Sequence, residues 1–314
     1  IDGITASGDN IAVHHNEGKV YRVKPRTNMD VNKWWISDEI RYGWKFVHDE
    51  NRLGQPVRKQ LGVQVGAEWP RAIDDAVEHL REATQENGRL AAVISPMLGC
   101  EEAWLLGRFV RALDPGAILA VGPVPVDGED QSFPGGYTVR AEKAPNQRGV
   151  KRALAMLEGD APIDASTLIE QLADDDSPVT GLLVTGNYPD PWPTDELVKA
   201  IGRKRKIVMI DTLPNKLTEK ADVLLPGATW LEKAGCFENI DGRLQSFEAA
   251  IPVMEDARSE GQIALELLAA ADQQPRAIYD ADTVREQMGG AFVAEVHHPQ
   301  ADEGATSDLE YVEL

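Results

Sequence analysis

Residues 31–46 read VNKWWISDEIRYGWKF, and they crowd large apolar side chains into one short segment: Trp34, Trp35, Ile36, Ile40, Tyr42, Trp44 and Phe46. Burial of that much aromatic surface is enough to fix a local core. Upstream, residues 11–14 and 19–23 read as short strands joined by a turn at Asn16, Glu17 and Gly18, which is typical of a hairpin. The sequence therefore predicts a small β cap over residues 1–56.

The hairpin is followed by SDEIRY at residues 37–42. This order resembles the iron-sulfur cap of molybdopterin oxidoreductases, most closely that of the large iron-sulfur (G-type) subunit of NADH:quinone oxidoreductase, respiratory complex I. In that family three cysteines precede the hairpin and a fourth lies in a Cys-Asp-x-x-Arg-[Phe/Tyr] motif. The matching positions here are Asp2, Thr5, Asp9 and Ser37.

The residue types at these four positions argue against a metal cluster. Iron-sulfur clusters are held by cysteine thiolates, with occasional histidine replacements. Two carboxylates and two hydroxyls provide no soft ligand. We therefore predict that the cap keeps its scaffold, has lost its cluster, and binds no metal.

The rest of the chain alternates strand and helix patterns, which is typical of an α/β fold. After a connector at residues 49–66, helices are predicted at 69–86 and 97–113 around a strand at 90–94, with Ser95 as the N-cap of the second. Further predicted elements are a strand at 116–126, helices at 148–158, 165–173 and 194–203, strands at 181–185 and 207–211, and helices at 258–271 and 283–288.

These patterns and the resemblance together predict a molybdopterin oxidoreductase-like fold with Rossmann-like parallel sheet layers. We expect this α/β domain to span residues 57–272. Residues 273–314 then form a C-terminal extension, whose acidic tail begins at residue 300.

Candidate ligand-binding residues follow the predicted strands at 181–185 and 207–211. Ligands of open α/β sheets bind beyond the carboxyl ends of strands, which places Gly186, Asn187 and Asp211 at such a site. Asp211 follows Gly186 at a spacing loosely similar to that of the ribose-binding acid of dinucleotide folds. The alternative is structural: Gly186 and Pro189 form a turn, and Asp211 orders the next loop.

A second signature, ADVLLPGATWLEKAGCFENIDGRLQ, occupies residues 221–245. It resembles the family pattern Ala-Asp-Val-x-Leu-Pro followed by Gly-Thr-[Phe/Tyr]-x-Asn-x-[Glu/Asp]-Gly-Arg-x-Gln, with Cys236 in place of the threonine. In cofactor-loaded relatives this segment borders the pterin pocket. The resemblance thus implies Glu232, Asn239 and Arg243 as further ligand candidates, and they can equally form a polar network that closes the fold.

Charge and cysteine content limit the partners. A net charge of −20 opposes binding to nucleic acid or anionic lipid. The one basic run, at residues 203–206, suits a helix C-terminus. No apolar run reaches the roughly 18 residues of a membrane span. Cys100 and Cys236 lie far apart in sequence, which indicates a reducing compartment and no structural zinc.

No nucleophile with a partner base can be assembled from this sequence, and nothing matches the molybdenum ligand of catalytic relatives. The resemblance implies a non-catalytic, cofactor-free structural domain of complex I, packed against other peripheral-arm subunits. It would lie in the cytoplasm, at the inner face of the respiratory membrane through those subunits. The alternative is a domain that retains a pterin or a nucleotide between Gly186 and Arg243.

Overall fold

The computed structural model describes residues 1–202, 205–254 and 256–298. Its strands are β1 (Ile11–Asn16), β2 (Lys19–Pro25), β3 (Val57–Gln60), β4 (Val63–Gly66), β5 (Arg89–Ile94), β6 (Ile118–Val121), β7 (Gln131–Phe133), β8 (Tyr137–Val139), β9 (Ile163–Asp164), β10 (Val179–Thr185), β11 (Lys206–Asp211), β12 (Val223–Pro226), β13 (Gly235–Glu238) and β14 (Leu244–Phe247). Its α-helices are α1 (Asp38–Tyr42), α2 (Trp69–Ala83), α3 (Cys100–Leu113), α4 (Gln147–Ala155), α5 (Ala165–Ala173), α6 (Asp195–Ile201), α7 (Glu260–Asp272), α8 (Ala281–Met288) and α9 (Gly290–Glu295).

One large sheet organises the α/β part, in the strand order β4-β3-β12-β11-β10-β5-β6-β9. The six strands from β12 to β9 are parallel, whereas β3 and β4 add an antiparallel hairpin at one edge. The prediction of a plain connector at residues 49–66 was therefore wrong. The hairpin was missed because its four-residue strands lie at an edge and are only partly buried, so they carry little apolar signal.

The two faces of this sheet bury alternate residues of each strand, as period-two side-chain geometry requires. On β5, Leu90, Ala92 and Ile94 pack with α2, α3 and α7. Ala91 and Val93 point to the opposite core, which α5 and α6 cover. Helices on both faces explain why the parallel strands are continuously apolar, and the α/β prediction is confirmed.

Two predicted boundaries near β5 and β6 were wrong. Helix α3 begins at Cys100 rather than at residue 97, with Gly99 as its N-cap. The Gly99 N–H donates to the Glu102 carboxylate at 2.9 Å, so the helix's own first turn fixes its start. Strand β6 covers only Ile118–Val121 of the predicted 116–126, because the chain then enters a proline-rich loop.

The cap consists of the β1–β2 hairpin, α1 and the 3-10 helix Gly43–His48. Its core is shared with residues 230–251, and Phe46 stacks on Trp230 with ring centroids 5.5 Å apart. Trp44 and Phe46 are buried as expected. Trp34, Trp35 and Tyr42 are about half exposed, so the aromatic stretch fills the local core only in part.

Residues 273–298 pack back onto the α/β part through α8 and α9, and His297 forms a β-bridge with Gln245. Arg203 and Lys204 of the basic run, and the acidic tail from residue 300, lie outside the described residues. Within the described ranges, the structure contains no helix that is both long and apolar enough to cross a membrane.

Candidate functional site

The carboxyl ends of β5 and β10 form the topological switch point of the sheet. The chain runs from β5 outward to β6 and β9, then returns to β10 and continues to β11 and β12 on the other side. Ligands of such sheets bind in the crevice at this point. A crevice of about 790 Å³ opens there, and its walls include Phe46 from the cap and Tyr188 and Trp192, which stack on each other.

Gly186, Asn187 and Asp211 meet at this edge. Asp211 is buried and accepts hydrogen bonds from the backbone N–H groups of Asn187 and Thr212, both at 2.8 Å. The side chains of Trp192 and Asn215 donate to its second oxygen. Burial raises the pKa of Asp211, although these hydrogen bonds oppose the shift. Both carboxylate oxygens are thus engaged by protein donors.

A cluster of buried charges lies next to these residues. The Lys233 ammonium contacts Glu102 at 2.9 Å and Glu260 at 2.5 Å, and all three side chains are 1 % exposed. Glu260 also accepts a 2.8 Å hydrogen bond from Asn187 Nδ2. Burial raises the pKa of Glu260 to about 7, against the opposing charge of Lys233. The cluster therefore ties helices α3 and α7 to the edge of the sheet.

A second buried ion pair joins α3 to α8. Arg285 Nε lies 2.6 Å from Glu101 Oε1, and Glu101 Oε2 accepts from the Cys236 N–H at 2.9 Å. Burial raises the pKa of Glu101 to about 7, although Arg285 opposes the shift. Together with Lys233 and its partners, these groups form what we call the buried charge cluster: Glu101, Glu102, Lys233, Glu260 and Arg285.

These carboxylates determine whether a phosphate-bearing cofactor fits. Phosphates at strand ends and helix N-termini are held by free backbone N–H groups. At this edge the N–H groups of Gly99, Asn187 and Cys236 donate instead to Glu102, Asp211 and Glu101. An incoming anion would meet buried carboxylates. The residues present therefore do not fit the pyrophosphate of a pterin dinucleotide.

The remaining ligand candidates lie in other networks. Glu232 forms a bidentate pair with Arg52 at 2.8 and 2.9 Å, and accepts from the Thr229 N–H at 2.7 Å. Burial would raise the pKa of Glu232, but the hydrogen bonds and charge of Arg52 outweigh it and the pKa is lowered. Asn239 donates to the Ser7 carbonyl, and Arg243 lies 3.6 Å from Asp30. A ligand-binding role for these residues stays a prediction.

The four positions aligned with cluster ligands converge around the side chain of Tyr137. Asp2 accepts from the Thr5 N–H at 3.0 Å, and the Asp2 N–H donates to the Asp9 carbonyl. The Tyr137 hydroxyl donates to Asp9 Oδ2 at 2.7 Å, while Ser37 caps α1. Burial raises the pKa of Asp2 to about 7 and that of Asp9 to about 6.

This donor set does not fit an iron-sulfur cluster, because it contains no thiolate and its oxygens are engaged in hydrogen bonds within the protein. Within the described residues, no group of three or more His, Cys, Asp or Glu side chains could hold a metal ion. The cap and β8 are joined here by hydrogen bonds of the polypeptide itself.

Cys100 and Cys236, far apart in sequence, are neighbours in the fold. Asn146 bridges them, with Nδ2 3.5 Å from Cys100 Sγ and 3.4 Å from the Cys236 carbonyl oxygen. Both thiols are fully buried. Burial is the main cause that raises the pKa of the Cys236 thiol, and its contact with Cys100 raises that pKa further. The thiol form is thus favoured over the nucleophilic thiolate.

No sequence pattern pointed to the five members of the buried charge cluster as site residues. They come from separate parts of the chain, so no local motif unites them. A usable signal did exist: Glu101 and Glu102 lie in the first turn of a helix rich in apolar residues, shortly after a buried strand, and burial there requires partners. The partners themselves became visible only once the fold brought α7 and α8 beside α3.

Two known families match this chain. Residues 152–270 match the family described as molybdopterin oxidoreductase. Residues 1–45 match the 4Fe-4S domain described as NADH-ubiquinone oxidoreductase NDSU1/NuoG-like. The second match covers the cap, including the four positions around Tyr137.

Curated relatives include the G-type subunit of NADH-quinone oxidoreductase from Mycobacterium bovis, 32% identical over 173 residues, covering 54% of this chain and 20% of the relative. The corresponding G-type subunit from Streptomyces coelicolor is 33% identical over 102 residues, covering 32% of this chain and 12% of that protein. The 75 kDa subunit of Reclinomonas americana NADH-ubiquinone oxidoreductase is 28% identical over 126 residues, covering 40% of this chain and 18% of that protein. The matches thus span a fifth or less of these relatives.

A solved structure shares the fold. Acetylene hydratase from Pelobacter acetylenicus superimposes with a TM-score of 0.54 at 10% identity, over 86% of this chain and 69% of that one. Identity this low shows the architecture alone. Together with the family match at residues 152–270, it supports the molybdopterin oxidoreductase-like fold expected from the sequence patterns and the resemblance.

Proposed function

Because this chain is a relative of the G-type subunits of NADH-quinone oxidoreductases, with a molybdopterin oxidoreductase region behind a NuoG-like cap, we propose that it is a non-catalytic structural domain of such a complex. It packs against the electron-transfer arm and binds no cofactor of its own. Its partners are the other peripheral-arm subunits. Through them it lies on the cytoplasmic, inner face of the respiratory membrane.

The observation that carries this proposal is the occupation of the switch-point edge by the protein's own carboxylates. Glu102, Asp211 and Glu101 take the backbone N–H groups that a phosphate would need. Each is paired or hydrogen-bonded inside the fold, so removing them from the edge would leave buried charges without partners. The arrangement favours a rigid structural domain over a site that binds and releases a ligand.

A second candidate function keeps a small ligand in the switch-point crevice. Its volume of about 790 Å³ is in the range of ligand sites, and the stacked Tyr188 and Trp192 offer an aromatic wall. The charges at the crevice disfavour an anionic ligand, since Asp49, Asp127 and Asp190 line it against Lys45, and Lys143 is already paired with Glu39. A pterin or nucleotide is therefore the weaker candidate.

The test is a native gel of gently solubilised membranes from the source cell, probed with an antibody to this chain. We expect the chain to migrate with NADH dehydrogenase activity in a large complex. A free species of the chain's own mass would overturn the scaffold proposal. In parallel, the purified chain is denatured and its supernatant examined for pterin fluorescence and nucleotide absorbance. Stoichiometric release of either would favour the ligand-binding alternative.

A further inference from the structure

An apolar groove lies between the cap and the β7–β8 hairpin, and it shares only Glu39 with the lining of the switch-point crevice. Its volume is about 690 Å³. The cap contributes Trp35 and Ile36 to its lining, and the hairpin contributes Phe133, Pro134, Tyr137 and Val139. Since Tyr137 also donates to Asp9, the groove lies directly over the former cluster position.

Large aromatic side chains are left open to solvent in this groove. Trp35 is 48% exposed and Phe133 is 49% exposed, although Tyr137 beneath them is buried. Scattered apolar residues on a surface need no explanation, but a concave patch that collects several aromatic side chains is typical of a protein contact. Covering Trp35 and Phe133 would remove substantial apolar surface from water.

The hairpin that forms one wall has little support of its own. Each strand has three residues, all of β7 is exposed, and among the described residues the two strands pair only with each other. An isolated two-stranded hairpin is marginal in water. Tyr137 anchors it to Asp9, and Lys33 donates to the Gly135 carbonyl at its turn. An occupant of the groove would pack along this wall.

The charges of the groove specify the occupant. Asp38 and Glu39 line it, and no lysine or arginine among the described residues does. Glu39 is neutralised by Lys143 at 2.6 Å, whereas the Asp38 side chain is 89% exposed and Arg41 reaches it only at 3.8 Å. This apolar groove, with one open carboxylate at its rim, is complementary to an apolar segment that has a positively charged side chain.

We propose that this groove docks a segment of another subunit, which inserts an aromatic or aliphatic side chain between Trp35 and Phe133 and places a lysine or arginine against Asp38. The inference rests on the proposed function and deepens it, since it names the contact surface of the scaffold and the chemistry of its partner. It requires no movement of the cap.

The experiment uses the full chain in its source cell, with the photoreactive residue p-benzoylphenylalanine in place of Phe133 and, in a second strain, of Trp35. After irradiation, the complex is isolated and the cross-linked peptides are identified by mass spectrometry. We expect both positions to mark one segment of another polypeptide, at an apolar residue flanked by lysine or arginine. The same photoreactive residue at the exposed Ile278 serves as the control position and should not mark that segment.

Charge reversal provides the second readout. Asp38→Lys should lower the yield of that cross-link about fivefold or more, because it replaces an attractive pair with a repulsive one. Glu170→Lys, at an exposed position of α5, changes the net charge equally and should leave the yield unchanged.

Several outcomes would overturn the inference. They are cross-links only within this chain or to a second copy of it, no cross-link from either position, or a yield that Asp38→Lys does not alter. If the chain still migrates with NADH dehydrogenase activity in these strains, the scaffold proposal survives and only the docking surface is wrong. If it does not migrate with that activity in the parent strain, both proposals fall.

Discussion

Lys233 shows how a single side chain can hold this fold together. Its ammonium is the cation between Glu102 and Glu260, so one residue compensates carboxylates from α3 and α7. Moving charges out of water costs free energy, and a buried charge cluster is stable only when every member is paired. Removing the shared cation would leave both carboxylates buried without a counter-charge.

We therefore expect Lys233→Met to lower the free energy of unfolding by about 3–5 kcal/mol, measured by urea denaturation. The matched control is Lys216→Met, because Lys216 pairs with Asp195 at the surface, where the side chains are 65% and 86% exposed. That change should have little effect, because exposed ion pairs contribute little to stability. Equal losses in the two variants would show that the buried charge cluster contributes no special stability.

Helix α2 packs closely on the central strand β10 at Gly181. A Cβ atom built there would lie 2.6 Å from Ala83 Cβ and 2.7 Å from Leu90 Cδ2. Both distances are shorter than real carbon contacts. Ala83 Cβ is fixed to the helix backbone, and Leu90 is fully buried in the packed core, so neither can easily shift. The glycine thus sets the distance between helix and sheet.

Gly181→Ala should accordingly lower the free energy of unfolding by about 1–3 kcal/mol through overpacking. Gly54→Ala is the control, since nothing lies within 4 Å of its added methyl group. The control should be neutral or slightly stabilising. Thermal and urea unfolding of the two variants measure the difference, and an unaffected Gly181→Ala protein would contradict the close packing described here.

Elements with strong periodicity could be predicted from the sequence, and those fixed by long-range contacts could not. Helix α5 matches its predicted bounds, because Leu168 and Leu172 repeat at helical spacing on one buried face. The start of α3 was misplaced because it depends on the Glu102 carboxylate turning back to Gly99. The buried charge cluster was missed because it depends on tertiary contacts, since pairs such as Glu101 with Arg285 join distant segments.

The whole molecule combines a net charge of −20 with buried carboxylates that resist ionisation. Burial raises the pKa of Glu101, Glu260 and Asp2 to about 7. The folded state therefore binds more protons than the unfolded state from the ordinary carboxyl pKa up to about pH 7. Protonation in this window favours the folded state, and the negative charge that accumulates as pH rises opposes it through self-repulsion.

The contribution of these three groups to the free energy of unfolding should consequently fall as pH rises from about 4.5 to about 7, by up to about 1.4 kcal/mol per pH unit for each group. The lowered pKa values of His14 and His48 contribute the opposite slope in the same window. Glu101→Gln should make this dependence less steep, because the amide does not titrate. Urea denaturation at a series of pH values gives the slope for both proteins. Equal slopes in the two proteins would refute the assignment.

The cap packs on residues that are synthesised long after it. Asn10 donates to Gln245, and the cap core is completed by Trp230, Phe237 and Phe247. During synthesis, the aromatic side chains of residues 1–48 therefore stay uncovered until the distant segment at residues 230–251 has emerged from the ribosome. The cap is made before the strands of the large sheet and completed after them, and in that interval its apolar side chains are open to non-native contacts.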